Sequence, residues 1–238
     1  MTKLMYIQHP DLFELSAQVI QRGHDNRGTY LVLNQSLFYP QGGGQPADQG
    51  QITTDNACYK VFDVRNMDGE IRHYITSETR PTCAMDTVTI KIDKERRIRH
   101  SKYHTAGHLI AAVVEKAHPA LQAIKGHQFP GEAYIEFKGT VVDTDDFIAQ
   151  IRTRLSAQIA HKTPVEIQQL SYEDAAIIAQ RLPYKLPTEQ SLRVCHIAGF
   201  PPTPCGGTHV NTLEEINTLV AKKCRNKKGT IKIHYEVE

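Results

Sequence analysis

Three histidines recur at intervals of four, His100, His104 and His108, in a stretch whose apolar residues have helical spacing. Side chains four apart lie over one another on a helix face, so His104 and His108 would offer two imidazoles from successive turns to one metal ion. With 12 histidines in 238 residues such a pair is weak evidence by itself, since roughly half a pair arises by chance. The run Pro204, Cys205, Gly206, Gly207, Thr208, His209, Val210 strengthens it. Here a cysteine precedes a histidine by four, with two glycines between them that let the backbone fold until both side chains face one point. Three imidazoles and a thiolate suit Zn²⁺, a borderline-soft ion that favours tetrahedral nitrogen and sulfur donors. A buried thiol and a hydrogen-bonded imidazole in a turn are the plainer account of the same residues. His100, one turn earlier, reads as a group behind the ligands, a phosphate contact or a plain surface histidine.

A third feature is the segment Phe38, Tyr39, Pro40, Gln41, Gly42, Gly43, Gly44, Gln45, Pro46, followed by Asp48 and Gly50. Consecutive glycines admit positive φ and let a ligand approach backbone N–H groups closely. Gly42, Gly43 and Gly44 thus form either the tip of a hairpin or a cradle for a carbonyl oxygen or a terminal adenosine. The segment lacks the Lys-Ser/Thr of a phosphate-binding loop and the glycine spacing of a dinucleotide site. Two basic stretches are further candidates for contacts with nucleic acid or for solvated faces: Lys94, Arg96, Arg97, Arg99, Lys102, and Lys222, Lys223, Arg225, Lys227, Lys228.

The elements that must position these residues divide near residue 92. Before it, short apolar or alternating runs at Thr29–Leu33, Lys60–Val64, Ile71–Ile75 and Val88–Ile92 are separated by glycine-rich breakers, the pattern of a small β-barrel or sandwich. From about Arg97 the period becomes helical through Tyr103, Ile110 and Val114, and Pro119 stops it. Strands at Ala133–Phe137, Val165–Leu170, Leu192–Ile197, Asn217–Lys222 and Thr230–Val237, with helices near Thr144–His161 and from Ser171 to before Pro183, predict one antiparallel sheet with helices on one face. The expected class is α+β: a β-barrel domain over 1–92 and an α+β domain over 93–238.

The chain has 238 residues, 40% hydrophobic and 23% charged, with a net charge of +2, so any pull on nucleic acid must come from local patches. No apolar run reaches the length that spans a bilayer, and the first residues lack a signal layout; a cytoplasmic protein is expected. Five widely spaced cysteines, Cys58, Cys83, Cys195, Cys205 and Cys224, fit a reducing compartment.

In these motifs the chain resembles the AlaX proteins, free-standing relatives of the editing domain of alanyl-tRNA synthetase. His104 to His108 resembles the family's first zinc motif, Cys205 to His209 its second, and Phe38 to Gln45 the glycine-rich segment of the preceding domain. Gly131 to Phe137 resembles a strand that lines its pocket, which brings in Ile135. The segments keep the family order from about residue 38 to 210, as in its medium-length class; Pro201 and Pro202 depart from it, where the family has an acidic residue. The resemblance implies a zinc-dependent hydrolase acting in trans on tRNA(Ala) charged with serine, and with glycine as a second substrate. It implies His104, His108, Cys205 and His209 as ligands, with His209 alternatively holding a water. Gln45 and the glycine turn would meet the aminoacyl end, with Ile135 and His100 beside the substrate. No obligatory protein partner is expected. Alternatives are an editing hydrolase for another mischarged tRNA such as Ser-tRNA(Thr), a zinc esterase without an RNA substrate, and a non-catalytic zinc-stabilised RNA-binding module.

Overall fold

The computed structural model describes residues 1–76, 85–179 and 192–238. Cys83 and the helix stop expected before Pro183 lie outside the described residues. The chain divides into two compact units, Met1–Arg99 and His100–Glu238.

The first unit opens with β1 (Lys3–Leu4) and a single turn α1 (Met5–Gln8). It continues with β2 (Glu14–Asp25), β3 (Gly28–Leu33), β4 (Gln35–Ser36), β5 (Gly50–Thr53), β6 (Cys58–Met67), β7 (Glu70–Thr76) and β8 (Thr87–Ile92). Six of these close an antiparallel barrel in the order β2, β3, β7, β6, β5, β8, which leaves no sheet edge to pair with another chain. Alternation turns Val88, Ile90 and Ile92 of β8 inward, where they meet Val19, Leu33, Ile52, Val61 and Val64. Four of the six strands follow the apolar runs of the sequence. The other two do not: β5 is only four residues long, and a bulge between Val19 and Gln21 interrupts the alternation of β2.

The glycine-rich segment is tied into this barrel. Tyr39 N–H donates to the Asp48 carboxylate (2.7 Å), and Asp48 N–H donates to the Tyr39 carbonyl (3.0 Å). The Arg97 guanidinium donates to the same carboxylate and to the Leu37 carbonyl (2.6 Å), with Asp48 0% and Arg97 2% exposed. Arg97 is therefore a structural cation, and the first basic stretch is not simply a solvated face. Gly42 and Gln45 bridge across a tight turn in which Gly43 (φ 53°) and Gly44 (φ 83°) take the left-handed conformation that a side chain would strain.

In the second unit, α2 (Lys94–Ala117), which begins before the division, leads to β9 (Gln122–His127), β10 (Tyr134–Lys138) and α3 (Thr144–Ile159). β11 (Val165–Leu170), α4 (Tyr172–Ala179), β12 (Leu192–Ile197), β13 (Thr203–Pro204), a 3₁₀ turn at Leu213–Ile216, β14 (Leu219–Lys227) and β15 (Thr230–Val237) follow. The single sheet expected from the sequence is in fact two. One has the order β14, β15, β10, β9, and a three-stranded sheet has the order β11, β12, β13. β12 is paired on both sides, by β11 along its whole length and by β13, so neither of its edges is left to join the four-stranded sheet. Ile135, Phe137, Ile231, Ile233 and Tyr235 from the four-stranded sheet bury against Leu109 and Ile110 of α2 and Ile151 and Leu155 of α3. Asp143 caps α3 by accepting from Asp145 and Asp146 N–H, and Arg152 of α3 donates to the Ala221 carbonyl (2.6 Å) of β14. Among the described residues no helix is long and apolar enough to cross a membrane.

Candidate metal centre

Helix α2 supplies half of the site. The Asp93 carboxylate accepts from Arg96 N–H (3.0 Å) at its start, and Glu95 in the first turn and Lys116 in the last match the helix dipole. No proline interrupts the 24 residues, so His104 and His108 stay in phase, their rings stacked with centroids 5.0 Å apart.

The other half comes from the turn after β13. Pairing sets Cys195 opposite Thr203 and Val194 opposite Pro204. Beyond it, Cys205 N–H donates to the Arg193 carbonyl (3.1 Å), while the Arg193 guanidinium donates to the Cys205 carbonyl (2.6 Å). Gly207 N–H donates to Cys205 Sγ (3.3 Å). Gly206 and Gly207 have no left-handed φ, so hydrogen bonds rather than glycine's conformational freedom set the approach of Cys205 to His209. Residues of α2 then hold the far side of the turn: Ser101 Oγ donates to Thr208 Oγ1 (2.8 Å), and Val210 N–H donates to Thr105 Oγ1 (3.2 Å).

The result is convergence. The ligand atoms of His104, His108, Cys205 and His209 all lie within 4.8 Å of one another. Cys205 Sγ is 3.4 Å from His104 Nε2 and 3.2 Å from His209 Nε2. Tetrahedral zinc with ordinary bond lengths would separate sulfur and nitrogen donors by roughly 3.5 Å, so the donor set fits that ion. His108 Nε2 is buried without a hydrogen-bond partner among the described residues, a cost that a metal bond would remove. His104 is 2% exposed, whereas His108, Cys205 and His209 are partly exposed, which gives the cluster an accessible side.

Thr105 defines the tautomer of His209. Its single hydroxyl proton goes to the Ser101 carbonyl (2.8 Å), so toward Val210 N–H and His209 Nδ1 (3.3 Å) it can only accept. Nδ1 then carries the proton, and the Nε2 lone pair faces the cluster, an arrangement typical of metal-binding imidazoles. Burial holds all three histidines well below the usual imidazole range, with His108 at about 4, and the Arg193 charge adds to the effect. Neutral imidazole is the form that ligates. Burial pushes the Cys205 thiol up to about 11, so ligation by its thiolate would require a cation to displace the proton.

Of the other sequence candidates, His100 is buried, 2% exposed, and is not the surface histidine considered above. Ile135 is core: its Cδ1 would lie 3.2 Å from a Cβ placed on Gly107, beside His108. Gly42, Gly43, Gly44 and Gln45 belong to the first unit; Gly42 and Gly43 are exposed and Gln45 is fully buried. Thr105, Ser101 and Arg193 were not singled out by sequence. The only signal for Thr105 was its place between the two histidines, and Arg193 carried none.

Residues 10–96 match the family described as tRNA synthetases class II (A). The alanyl-tRNA editing protein AlaX-M of Methanosarcina barkeri (strain Fusaro) is 34% identical over 236 residues, 95% of each chain. The chain belongs to the AlaX family. A second AlaX-M protein, from Methanosarcina acetivorans, is 32% identical, again over 95% of each chain. The AlaX-L protein of Pyrococcus horikoshii is 27% identical over 92% of this chain but only 54% of its own length. This AlaX chain therefore matches the two AlaX-M proteins over 95% of their length and the AlaX-L protein over 54% of its length.

Proposed function

We propose that this protein is a metal-dependent deacylase that hydrolyses the ester of serine mischarged onto tRNA(Ala), and of glycine as a second substrate, while sparing alanine. The observation that carries the proposal is the convergence of His104, His108, Cys205 and His209 from segments a hundred residues apart, in a chain similar throughout to alanyl-tRNA editing proteins.

In this reading the four residues hold Zn²⁺, which when bound supplies a Lewis acid for an ester carbonyl or a positive charge beside the substrate's polar groups. The protein's own contribution is arrangement. Thr105 orients His209, Gly207 N–H supports the sulfur, and Arg193 fixes the carbonyl of Cys205. Hydrolysis joins a water oxygen to the ester carbon and breaks its bond to the ribose oxygen, which leaves with a proton. The ester is already labile, so holding carbonyl and water in line suffices without a strong nucleophile. A hydrogen bond to the serine hydroxyl discriminates against alanine more effectively than pocket size does. The resemblance adds Gly42, Gly43, Gly44 and Gln45 as contacts for the aminoacyl end, with Ile135 and His100 beside the substrate, in an editing domain over 93–238 preceded by the barrel domain over 1–92. Gln45→Ala tests that contact: an unchanged kcat/KM would remove Gln45 from the site, and because Gln45 is buried a loss counts for it only if the thermal midpoint is kept.

One feature favours a second reading. A set of four protein donors is typical of zinc that only stabilises a fold, so a non-catalytic RNA-binding module is the competitor. Deacylation of Ser-tRNA(Ala) and Ala-tRNA(Ala) by wild type and Cys205→Ala, with bound zinc measured in both, separates the two. Loss of serine with alanine spared, abolished together with the metal, establishes editing. Zinc-loaded protein that binds tRNA and leaves both esters intact establishes the module.

A further inference from the structure

The second basic stretch of the sequence belongs to the four-stranded sheet, and the fold adds to it. One face of that sheet is core. On the other, antiparallel register sets Lys223 of β14 beside His234 of β15, His234 beside Tyr134 of β10, and Tyr134 beside His127 of β9. The next row runs Arg225, Lys232, Glu136, Lys125, and the third runs Lys227, Thr230, Lys138, Gln122. Six cations on one face meet Glu136 within these rows, in a chain whose net charge is only +2. Lys125, Lys138, Lys223, Arg225 and Lys227 are exposed and have no ion-pair partner among the described residues. Lys232 alone of the six has one, Glu136 at 3.6 Å.

Five exposed, unpaired cations held on a sheet repel one another and are not explained by folding. The first row also carries rings. Phe129, His127 and Tyr134 stack at centroid distances of 4.3 and 5.3 Å, His234 tilts against Tyr134 at 5.7 Å, and Lys232 Nζ lies 3.8 Å from the Tyr134 centroid. Four strands span about 14 Å, with successive residues of one face about 7 Å apart along each strand. We propose that this face is an RNA-docking surface which takes the phosphate backbone of the tRNA, separate from the metal cluster and using residues of the second unit alone. Charge complementarity selects the phosphate backbone as the partner of the five unpaired cations, while His127 and Tyr134 are already engaged by neighbouring rings. Burial first, then Lys223, Lys232 and Arg225, hold His234 below its usual value, which agrees with a positive field concentrated here. The choice of tRNA over another polyanion rests on the editing proposal; the surface itself does not.

The test is binding of uncharged tRNA(Ala) transcript to three full-length proteins: wild type, Lys125→Gln/Lys223→Gln/Arg225→Gln, and a control with Lys3→Gln/Lys60→Gln/Lys91→Gln. Both variants lower net charge by three, at different places on the chain; the control also gives up the exposed Lys91–Glu14 ion pair. Thermal midpoints verify that each is folded. The sheet variant should bind about tenfold or more weakly at physiological salt, and its salt dependence should be shallower by about two to three, at 0.7 to 0.9 per lost phosphate contact. The control should stay within about twofold of wild type. A sheet variant that binds like wild type, a control that loses as much, or a wild type that does not bind, overturns the proposal. Deacylation is scored separately. Turnover by wild type with no effect of the sheet variant on binding removes this surface and keeps the editing proposal. Binding lost in the sheet variant with no turnover by wild type does the reverse.

Discussion

Thr105 shows how much one hydroxyl can decide. It donates to Ser101 and accepts from two groups of the opposing turn, so a replacement without the hydroxyl frees His209 to rotate or to take the other tautomer. Thr105→Val should therefore weaken zinc affinity by about 10- to 100-fold, and Thr105→Ser should retain it. Competition with a chelating dye measures both; equal affinity in the valine variant would show that His209 needs no such support. His73, in the barrel, makes a pH prediction. Its Nδ1 is 3.0 Å from the Leu31 carbonyl and its Nε2 2.7 Å from Ser36 Oγ, and burial lowers it from 6.5 to about 4. The stability it contributes is complete above the unfolded value of 6.5 and is lost as pH falls from there toward 4, because only the unfolded chain takes up the proton. Between pH 7 and pH 5 wild type should lose about 2 kcal/mol more than His73→Gln, since each unit is worth about 1.4 kcal/mol. Urea titrations of both metal-loaded proteins give the difference, in which the shared histidines cancel; parallel losses would refute it. Neither role was visible in sequence, because each depends on a partner 37 or more residues away or on which proton a hydroxyl has left to give.

Elements were legible where one local signal dominated. The strand at Leu192–Ile197, the strand at Thr230–Val237 and the helix stop at Pro119 emerge as expected, being set by alternation and by proline. Strand β2 did not, because its bulge breaks the alternation, and the split into two sheets did not, because edge pairing is a non-local choice. Gly107 in α2 is a related case. Local propensity favours alanine in a helix by up to about 1 kcal/mol. Yet a Cβ there would meet Tyr235 Oη at 3.0 Å, and that hydroxyl is committed to the Tyr103 carbonyl at 2.8 Å and is fully buried. With Gln128 Cγ and Ile135 Cδ1 each at 3.2 Å, three neighbours would have to give by a few tenths of an ångström at once. Gly107→Ala should lower the melting temperature, and adding Tyr235→Phe should recover part of the loss. A gain in melting temperature for the single variant would mean that helix and sheet separate more easily than their packing indicates.

At the scale of the whole molecule, an ion held by the four-donor cluster should make the two units answer differently to chelation. All four donors belong to His100–Glu238, and within it they tie α2 to the turn after β13, so binding energy there is folding energy for the second unit. The barrel contributes none of them and holds its own buried core and the Asp48–Arg97 ion pair. An ion at a thousandfold excess over its dissociation constant stabilises the state that binds it by about 4 kcal/mol. Chelation should remove about that much from the amides of α2 beyond His100 and from β12. It should leave those of β3, β6 and β7 at their metal-bound protection. A single unfolding temperature would merge the two responses, since a chain of two units need not melt as one. Hydrogen exchange followed peptide by peptide keeps them apart. Faster exchange confined to the second unit places the ion in the four-donor cluster and makes it a structural part of that unit. Equal acceleration across the barrel strands would mean that the units fold as one cooperative body. No change in either would mean that the folded second unit held no tightly bound ion for the chelator to remove.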